Sequence, residues 1–275
     1  MNPHAAQSVS PLTLLNTLKT YQNLIYHLIK REVIGRYRGS MLGLLWSFFN
    51  PVLMLTVYTF VFSIVFKARW AEGSDSKTEF ALVLFAGLMI YNLFAECINR
   101  SPSLILGNVN YVKKVVFPLE VLSLVAIGSA TFHFAISLLV WFIFYLTFFG
   151  IPHGSLIMLP LVLAPLLLLT LGLSWFLASL GVYLRDVTQI TGVITTALLF
   201  LTPIFYPMTA LPTEYHLLLQ INPLTFVIEQ ARDVMIWGKT FDWKTWVLHL
   251  LIAAGFAWLG FAWFQKTRKG FANVL

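Results

Sequence analysis

The feature that most constrains this chain is a basic stretch that runs directly into a long apolar segment. Residues 44–66 contain no charged side chain, and four cationic residues come just before them: Lys30, Arg31, Arg36 and Arg38. Cationic side chains enter hydrocarbon only at high cost, whereas anionic lipid headgroups attract each of them by roughly 1 kcal/mol. The stretch therefore predicts a first membrane span that starts on the cytoplasmic side, just after Arg38.

Six apolar segments are long enough to cross a bilayer, which takes about 20 residues per helix. They are residues 44–66, 80–98, 119–149, 156–184, 188–206 and 245–264. Only 11% of the chain is charged, against about 25% in soluble domains. The predicted fold class is therefore an all-α membrane protein with six transmembrane helices. The predicted regions are a cytoplasmic N-terminus (1–43), a transmembrane domain (44–264) and a cytoplasmic C-terminal tail (265–275).

The distribution of charge supports this topology. With six spans that start inside, twelve of the 18 Lys and Arg residues fall on the cytoplasmic side, as the positive-inside rule requires. Seven of the 11 acidic residues fall on the opposite side. We therefore expect both termini in the cytoplasm, and the first forty residues show no signal-peptide pattern. The same retention of cations at one leaflet explains the net charge of +7 without nucleic acid as a partner.

Two segments on the predicted cytoplasmic side carry helical patterns of their own. Residues 11–27 place apolar side chains at helical spacing, which predicts an amphipathic helix in the membrane interface, with packing on a soluble partner as the alternative. Residues 99–118 contain Ser101-Pro102 as a helix start, followed by a short apolar face. This pattern predicts an amphipathic helix that either docks into a partner's groove or lies on lipid.

The segment 207–244, on the predicted outer side, is too long for a simple turn. Asn222 is a favourable helix cap, and Pro223 suits the first helical position. We expect two short helices, at residues 215–221 and 224–237, that re-enter the membrane. Such backbone is tolerated only where protein or a water-filled cavity shields it.

Few residues suggest catalysis within this chain. The Gly-Lys-Thr at 238–240 ends like a phosphate-binding loop, but the leading glycine position holds Asp233, so we expect no ATP site. His133 has no carboxylate near it in sequence, which favours a buried histidine over a catalytic one. The single cysteine, Cys97, excludes an internal disulfide and a cysteine-based metal cluster.

Ionisable groups within the spans give little support for ion coupling. Glu96 is the only acidic residue well inside an apolar segment, and Arg100 lies one turn later, where it can pair with it. An ion-coupled transporter usually has ionisable groups near the membrane midplane and two matching halves. The sequence contains no internal repeat.

Aromatic residues make up 16% of the chain. Interfacial belts and lipid-facing packing explain many of them. The alternative is a conduit in which flat rings pack on the apolar faces of sugars. The candidate channel-lining residues in the first and fifth spans are Trp46, Phe49, Tyr58, Phe62, Phe200, Phe205 and Tyr206.

Three stretches resemble the permease subunits of polysaccharide-exporting ABC transporters of the ABC-2 type, which export O-antigen, capsule or teichoic acid. The first is Arg31-Glu32 with Arg-Tyr-Arg-Gly-Ser-Met-Leu-Gly-Leu-Leu-Trp at 36–46 and Asn-Pro at 50–51. The second is Gly-Val-Tyr-Leu-Arg-Asp-Val at 181–187 with Pro-Ile-Phe-Tyr-Pro at 203–207, and the third begins with Asn-Pro-Leu-Thr at 222–225. Together these motifs are specific to the family, but they do not separate its substrates.

The resemblance implies a half-transporter in the bacterial inner membrane, with no cofactor of its own. Two copies would pair as a homodimer among membrane lipids, with two copies of an ATP-binding subunit that holds ATP and magnesium. The substrate would be a lipid-linked polysaccharide. The segment 99–118 becomes the helix that couples the permease to the ATPase.

The resemblance also implies roles for particular residues. The ATPase-coupling residues would be Ser103, Leu104, Leu106, Asn108, Tyr111, Lys113 and Lys114. The headgroup and interface contacts would be Arg31, Arg36, Arg38 and Arg185, and the periplasmic gate would contain Asn222, Pro223, Glu229 and Arg232. Simple anchoring at the cytoplasmic leaflet is the alternative for Arg38, Lys113, Lys114 and Arg185.

Two other functions stay open at this point. One is a multispan enzyme that acts on lipid-linked sugars and depends on His133. The other is a drug or small-lipid exporter of the same superfamily.

Overall fold

A computed structural model of the protein describes residues 9–61, 70, 77–113 and 117–275. The described residues form helices, turns and loops without a β-strand, so the all-helical fold class is confirmed. Five helical segments are long and apolar enough to cross a membrane: Gly43–Val61, Thr78–Ser103, Val121–Phe149, Gly154–Tyr183 and Trp243–Val274. The apolar helix Val187–Leu201 has 15 residues and is shorter than a typical span.

Eleven α-helices are present in the described chain. They are α1 (Pro11–Tyr37), α2 (Trp46–Tyr58), α3 (Lys77–Arg100), α4 (Val109–Lys113), α5 (Val121–Phe149), α6 (Leu159–Tyr183), α7 (Val187–Leu201), α8 (His216–Ile221), α9 (Pro223–Arg232), α10 (Trp243–Thr267) and α11 (Phe271–Val274). Residues 62–66 of the predicted first span, with Phe62, lie outside the described residues, and so does Lys114.

The N-terminal helix is longer than the sequence predicted. α1 continues beyond residue 27 through the basic stretch to Tyr37, with non-helical backbone at Tyr21. Gly39 (φ +85°) and Gly43 (φ +51°) then turn the chain into α2. Glycine adopts such positive φ angles without the strain that most other residues would suffer, which explains why the turn uses glycines.

α3 is the central helix of the bundle. It packs against α2, α5, α6, α7 and α9. Within Thr78–Ser103, 89% of the residues in the most apolar stretch are buried. Residues 80–91 of α3 are apolar on all sides, as expected of a helix enclosed by others. In Gly43–Val61, which contains α2, only 6% of the residues in the most apolar stretch are buried. α2 therefore lies at the edge of the single chain.

α6 and α10 pack along each other at unusually close range. A Cβ atom added to Gly172 of α6 would lie 2.7 Å from the Cα of Ala257 in α10. Gly260 of α10 faces the backbone of Gly172 in turn. Small residues allow this close approach of two helix backbones, as is common in membrane proteins.

Several basic segments meet at one end of the bundle, which we call the basic end. The end of α1, the end of α3 and the start of α5 lie there, together with the ends of α6 and α10. Ser101, just after α3, donates a hydrogen bond to Ser174 of α6 at 2.8 Å. α11 packs on α4 at the same end.

Candidate functional site

A cluster of charged residues joins α1, α3 and α5 near the basic end. Arg36 of α1 pairs with Glu96 of α3, and Arg100 of α3 pairs with Glu32 of α1. Arg100 Nη1 also lies 3.6 Å from Glu96 Oε1, so the predicted pair one turn apart on α3 is confirmed. His133 Nδ1 of α5 lies 3.1 Å from Glu96 Oε2.

No carboxylate lies near His133 in sequence, but the fold brings Glu96 into contact with it. The residues His133 and Glu96 are 37 positions apart in the chain, and the packing of α5 on α3 brings them together. The sequence did hold a signal for this cluster. Glu32 and Arg36 on α1 are four residues apart, as are Glu96 and Arg100 on α3. Each glutamate pairs with the arginine of the other helix.

A cavity of about 590 Å³ lies beside this cluster, and we call it the polar cavity. Its ionisable lining comes from Arg36, Glu96, Arg100 and His133. Its other polar lining residues are Tyr37, Ser47, Asn50, Tyr58, Asn92, Asn99 and Ser137. Ionisable and amide side chains within membrane helices are costly and usually line functional pathways.

The charges around the polar cavity compensate each other. Two arginines and two glutamates form the crossed pairs, so their formal charges cancel. Burial raises the pKa of Tyr37, which lies before the first span, and the neighbouring Arg36 opposes this effect. The Tyr37 phenol therefore stays a neutral donor near physiological pH.

The segment between α3 and α5 is built from short turns rather than one helix. Ser101–Ser103 and Leu106–Asn108 form 3₁₀ turns, and α4 follows. Gly107 in the middle lowers the helix propensity of the segment. The predicted apolar face exists and packs into a core with Trp175, Phe264 and Phe271.

The predicted coupling residues do not all lie on one surface. Ser103 and Lys113 are exposed, whereas Leu106, Asn108 and Tyr111 are half-buried. Leu104 is only 8% exposed and faces the bundle, so it is not available to a partner in this conformation. The apolar face packs inward because Leu104, Ile105 and Val112 fill the core beside α6 and α10.

The exposed face of this segment also contains residues that sequence reasoning missed. Gly107 and Asn110 are exposed and follow Ser103 at spacings of four and seven residues. We call these two residues, together with the exposed Ser103 and Lys113, the coupling face, after the ATPase contact that the sequence predicts for this segment. Gly107 and Asn110 are small or polar and belong to no apolar pattern, so the sequence held no signal for them.

The four predicted headgroup arginines lie in three settings. Arg38 and Arg185 are exposed at the basic end. Arg31 donates a hydrogen bond to the Tyr111 hydroxyl at 3.0 Å and so contacts α4. Arg36 belongs to the charged cluster.

The predicted channel aromatics lie in three places. Trp46 and Phe49 are exposed on α2. Phe200 of α7 is exposed and stacks on Phe205, with ring centroids 5.7 Å apart. The Tyr206 hydroxyl donates a hydrogen bond to the Phe200 carbonyl at 2.9 Å. The remaining described member, Tyr58, lines the polar cavity.

The two short helices predicted in 207–244 are present as α8 and α9. Asn222 caps α9, because its side chain accepts a hydrogen bond from the Leu224 amide at 3.0 Å, and Pro223 begins the helix. The Asn222 amide also donates to the Thr202 hydroxyl at 2.8 Å. A π-helical turn, Asp233–Trp237, continues α9.

Arg232 at the end of α9 is fully buried. Its guanidinium donates to the carbonyls of Val83 in α3, at 3.1 Å, and of Pro203 and Ile204 after α7, at 2.7 and 2.9 Å. It also pairs with Glu229 at 2.8 Å. One side chain thus holds α9 against α3 and against the end of α7.

Ionisable groups that line a cavity within a bundle of apolar helices are typical of substrate and ion pathways in membrane proteins. This chain belongs to the ABC-2 type transporter family, whose sequence profile matches residues 23–236.

Similar proteins include bacterial export and transport proteins. An O-antigen export system permease protein RfbA of Myxococcus xanthus is 27% identical over 266 residues, which cover 96% of this chain and 100% of that protein. A protein of the same name from Klebsiella pneumoniae is 25% identical, with 92% and 95% covered. The polysialic acid transport protein KpsM of Escherichia coli is 23% identical, with 77% and 80% covered.

Proposed function

We propose that this chain is the transmembrane permease subunit of an ABC transporter that exports a lipid-linked polysaccharide. A separate ATP-binding subunit drives the export, and this chain holds no cofactor of its own. The observation that carries the proposal is the similarity, over nearly the whole length, to proteins named as O-antigen export permeases. The similarity to a polysialic acid transport protein supports the same substrate class.

The topology that we propose has six spans in the bacterial inner membrane, with both termini in the cytoplasm. α1 and α11 both contact segments at the basic end, and chain ends on one side require an even number of crossings. α7, extended by residues 202–206, supplies the sixth crossing. The proposed regions are residues 1–43, 44–264 and 265–275, and α8 and α9 re-enter the membrane as gate elements.

A second copy of the chain completes the permease in this proposal. Large apolar side chains on α2 and α7 are exposed in the single chain, among them Phe49, Leu53, Ile194 and Phe200. A homodimer that joins these faces would place the aromatic residues of α2 and α7 beside a shared conduit. Two ATP-binding subunits would then dock on the two coupling faces.

Co-purification and reconstitution test the proposal. The tagged chain, isolated from the membranes of its native host, should bring a nucleotide-binding protein with it. ATP hydrolysis and export in proteoliposomes should each require both proteins. A chain that exports polymer without any ATP-hydrolysing partner would contradict the proposal.

The enzyme alternative has one observation in its favour. Glu96 stands 3.1 Å from His133 and can orient the imidazole. That alternative predicts turnover of lipid-linked sugars by the isolated chain, which His133→Ala abolishes. Export in proteoliposomes without any change in the lipid-linked sugar would exclude it.

A further inference from the structure

We infer that the polar cavity binds an uncharged, hydroxyl-rich part of the exported molecule, a sugar residue, rather than its phosphate groups. The inference rests on the proposed export function and assigns a part of the substrate to a specific place in the fold. The volume of the polar cavity, about 590 Å³, lies within the usual range of small-molecule sites.

The central helix directs its polar positions into this cavity. Between residues 80 and 98 of α3 the only exposed side chain is Asn92, and the only partly exposed one is Glu96. Both line the polar cavity. A helix that is otherwise enclosed thus exposes polar side chains at this place, which is how membrane proteins form substrate pathways.

The uncharged lining suits hydroxyl groups. Asn50 of α2 and Asn92 of α3 each offer an amide donor and an amide acceptor, and Ser137 of α5 offers a hydroxyl. A sugar hydroxyl donates and accepts at once, so it can pair with either end of an amide. These groups come from three different helices, which allows contacts to several hydroxyls of one ring.

The charged lining does not suit a polyanion. Both arginines of the cavity already pair with carboxylates, Arg36 with Glu96 and Arg100 with Glu32. A pyrophosphate in the cavity would displace these carboxylates or lie beside them, where their like charges would repel it. The exposed Arg38 and Arg185, outside the cavity, remain the better positions for phosphate.

The test compares two probes on the purified complex of this chain with its ATP-binding subunit. The probes are farnesyl pyrophosphate and the same molecule extended by an N-acetylglucosaminyl residue, and the measurement is the dissociation constant of each. We expect the sugar-bearing probe to bind at least tenfold tighter to the wild type, because each hydrogen bond contributes up to about tenfold and the cavity offers more than one. Asn92→Leu should remove most of this advantage and leave the affinity for farnesyl pyrophosphate unchanged.

Two further variants keep the test decisive. Asn50→Leu alters the cavity from α2 and should give the same selective loss if Asn92→Leu fails to fold. Asn23→Leu makes the same chemical change on the exposed surface of α1 and should change neither affinity. Equal binding of both probes to the wild type, or an equal loss of both in the cavity variants, overturns the inference.

The outcome is separable from that of the proposed function. Absence of an ATP-hydrolysing partner and of export in the wild type contradicts the proposed function. Normal export and coupling in the wild type, together with no selective effect of Asn92→Leu or Asn50→Leu, contradicts only the assignment of the sugar to this cavity.

Discussion

Arg268 Nη1 and Glu120 Oε2 form an ion pair at 3.0 Å, although the two side chains are only 5% and 3% exposed. Glu120 lies at the start of α5, directly after the connection that carries the coupling face. Arg268 follows α10 and also donates to Gln265 at 3.1 Å, and the fully buried Phe271 packs into the core behind Leu104. The C-terminal segment therefore supports residues 99–118, which we call the coupling segment, from inside the protein.

Removal of one partner of this pair should destabilise the protein. Arg268→Met leaves a buried carboxylate without its cation, which typically costs about 3–5 kcal/mol. The variant should unfold at a markedly lower temperature in detergent, as measured by scanning fluorimetry. The double variant Arg268→Met with Glu120→Gln should recover much of the loss, because no charge then stays buried alone. Equal stability of Arg268→Met and the wild type would contradict this reading.

The contact between α6 and the coupling segment should not tolerate bulk at Gly181. A Cβ atom there would lie 2.8 Å from the backbone carbon atoms of Pro102. Gly181→Leu should therefore push the coupling segment away from α6 and reduce export at least tenfold in reconstituted vesicles. Gly255→Leu is the matched control, since no described atom lies within 4 Å of a Cβ at that position on α10. Loss of export in both variants would point to a general defect instead.

Bulk on the coupling face should block the ATP-binding subunit without harming the fold. Gly107 is exposed, and no described atom lies within 4 Å of an added Cβ. Gly107→Trp should keep the melting temperature of the chain and lower its co-purification with the ATP-binding subunit severalfold. Leu104→Asp provides the contrast, because it places a charge in the core and should lower the melting temperature itself. If Gly107→Trp still co-purifies normally with the ATP-binding subunit, the coupling face does not form the proposed contact.

Arg232 should be irreplaceable even by lysine. Its guanidinium serves three backbone carbonyls from two separate segments, and a lysine ammonium cannot reproduce this planar fork. Both Arg232→Lys and Arg232→Met should lower the melting temperature, and Arg232→Met should also remove the ion pair with Glu229. Glu229→Gln should have a smaller effect, since the Glu229 side chain is 34% exposed. Wild-type stability of the Arg232→Lys variant would contradict this prediction.

The glycines before α2 should differ in their tolerance of alanine. Gly39 has φ +85°, where an L-residue is disfavoured by roughly 1–2 kcal/mol. Gly39→Ala should therefore reduce stability and export. Gly35→Ala lies within α1 in open space and should be neutral or stabilise the helix by up to about 1 kcal/mol. Melting curves of the two variants measure the difference directly.

The sequence determined much of the local structure. The long apolar segments predicted helices, and the pattern Asn222-Pro223 predicted the start of α9 at its observed position. The Glu96–Arg100 pair followed from its spacing along one helix. These features depend on contacts between residues a few positions apart, so the order of residues alone carries them.

Only the tertiary structure decided how these elements face each other. The apolar pattern of the coupling segment was correct, but the sequence did not show that Leu104 points into the protein instead of toward a partner. Neither did it show that Glu96 reaches His133 and Arg36. Contacts between residues 37 and 60 positions apart depend on which helices pack together and at what rotation, and periodicity along a single helix does not contain that information.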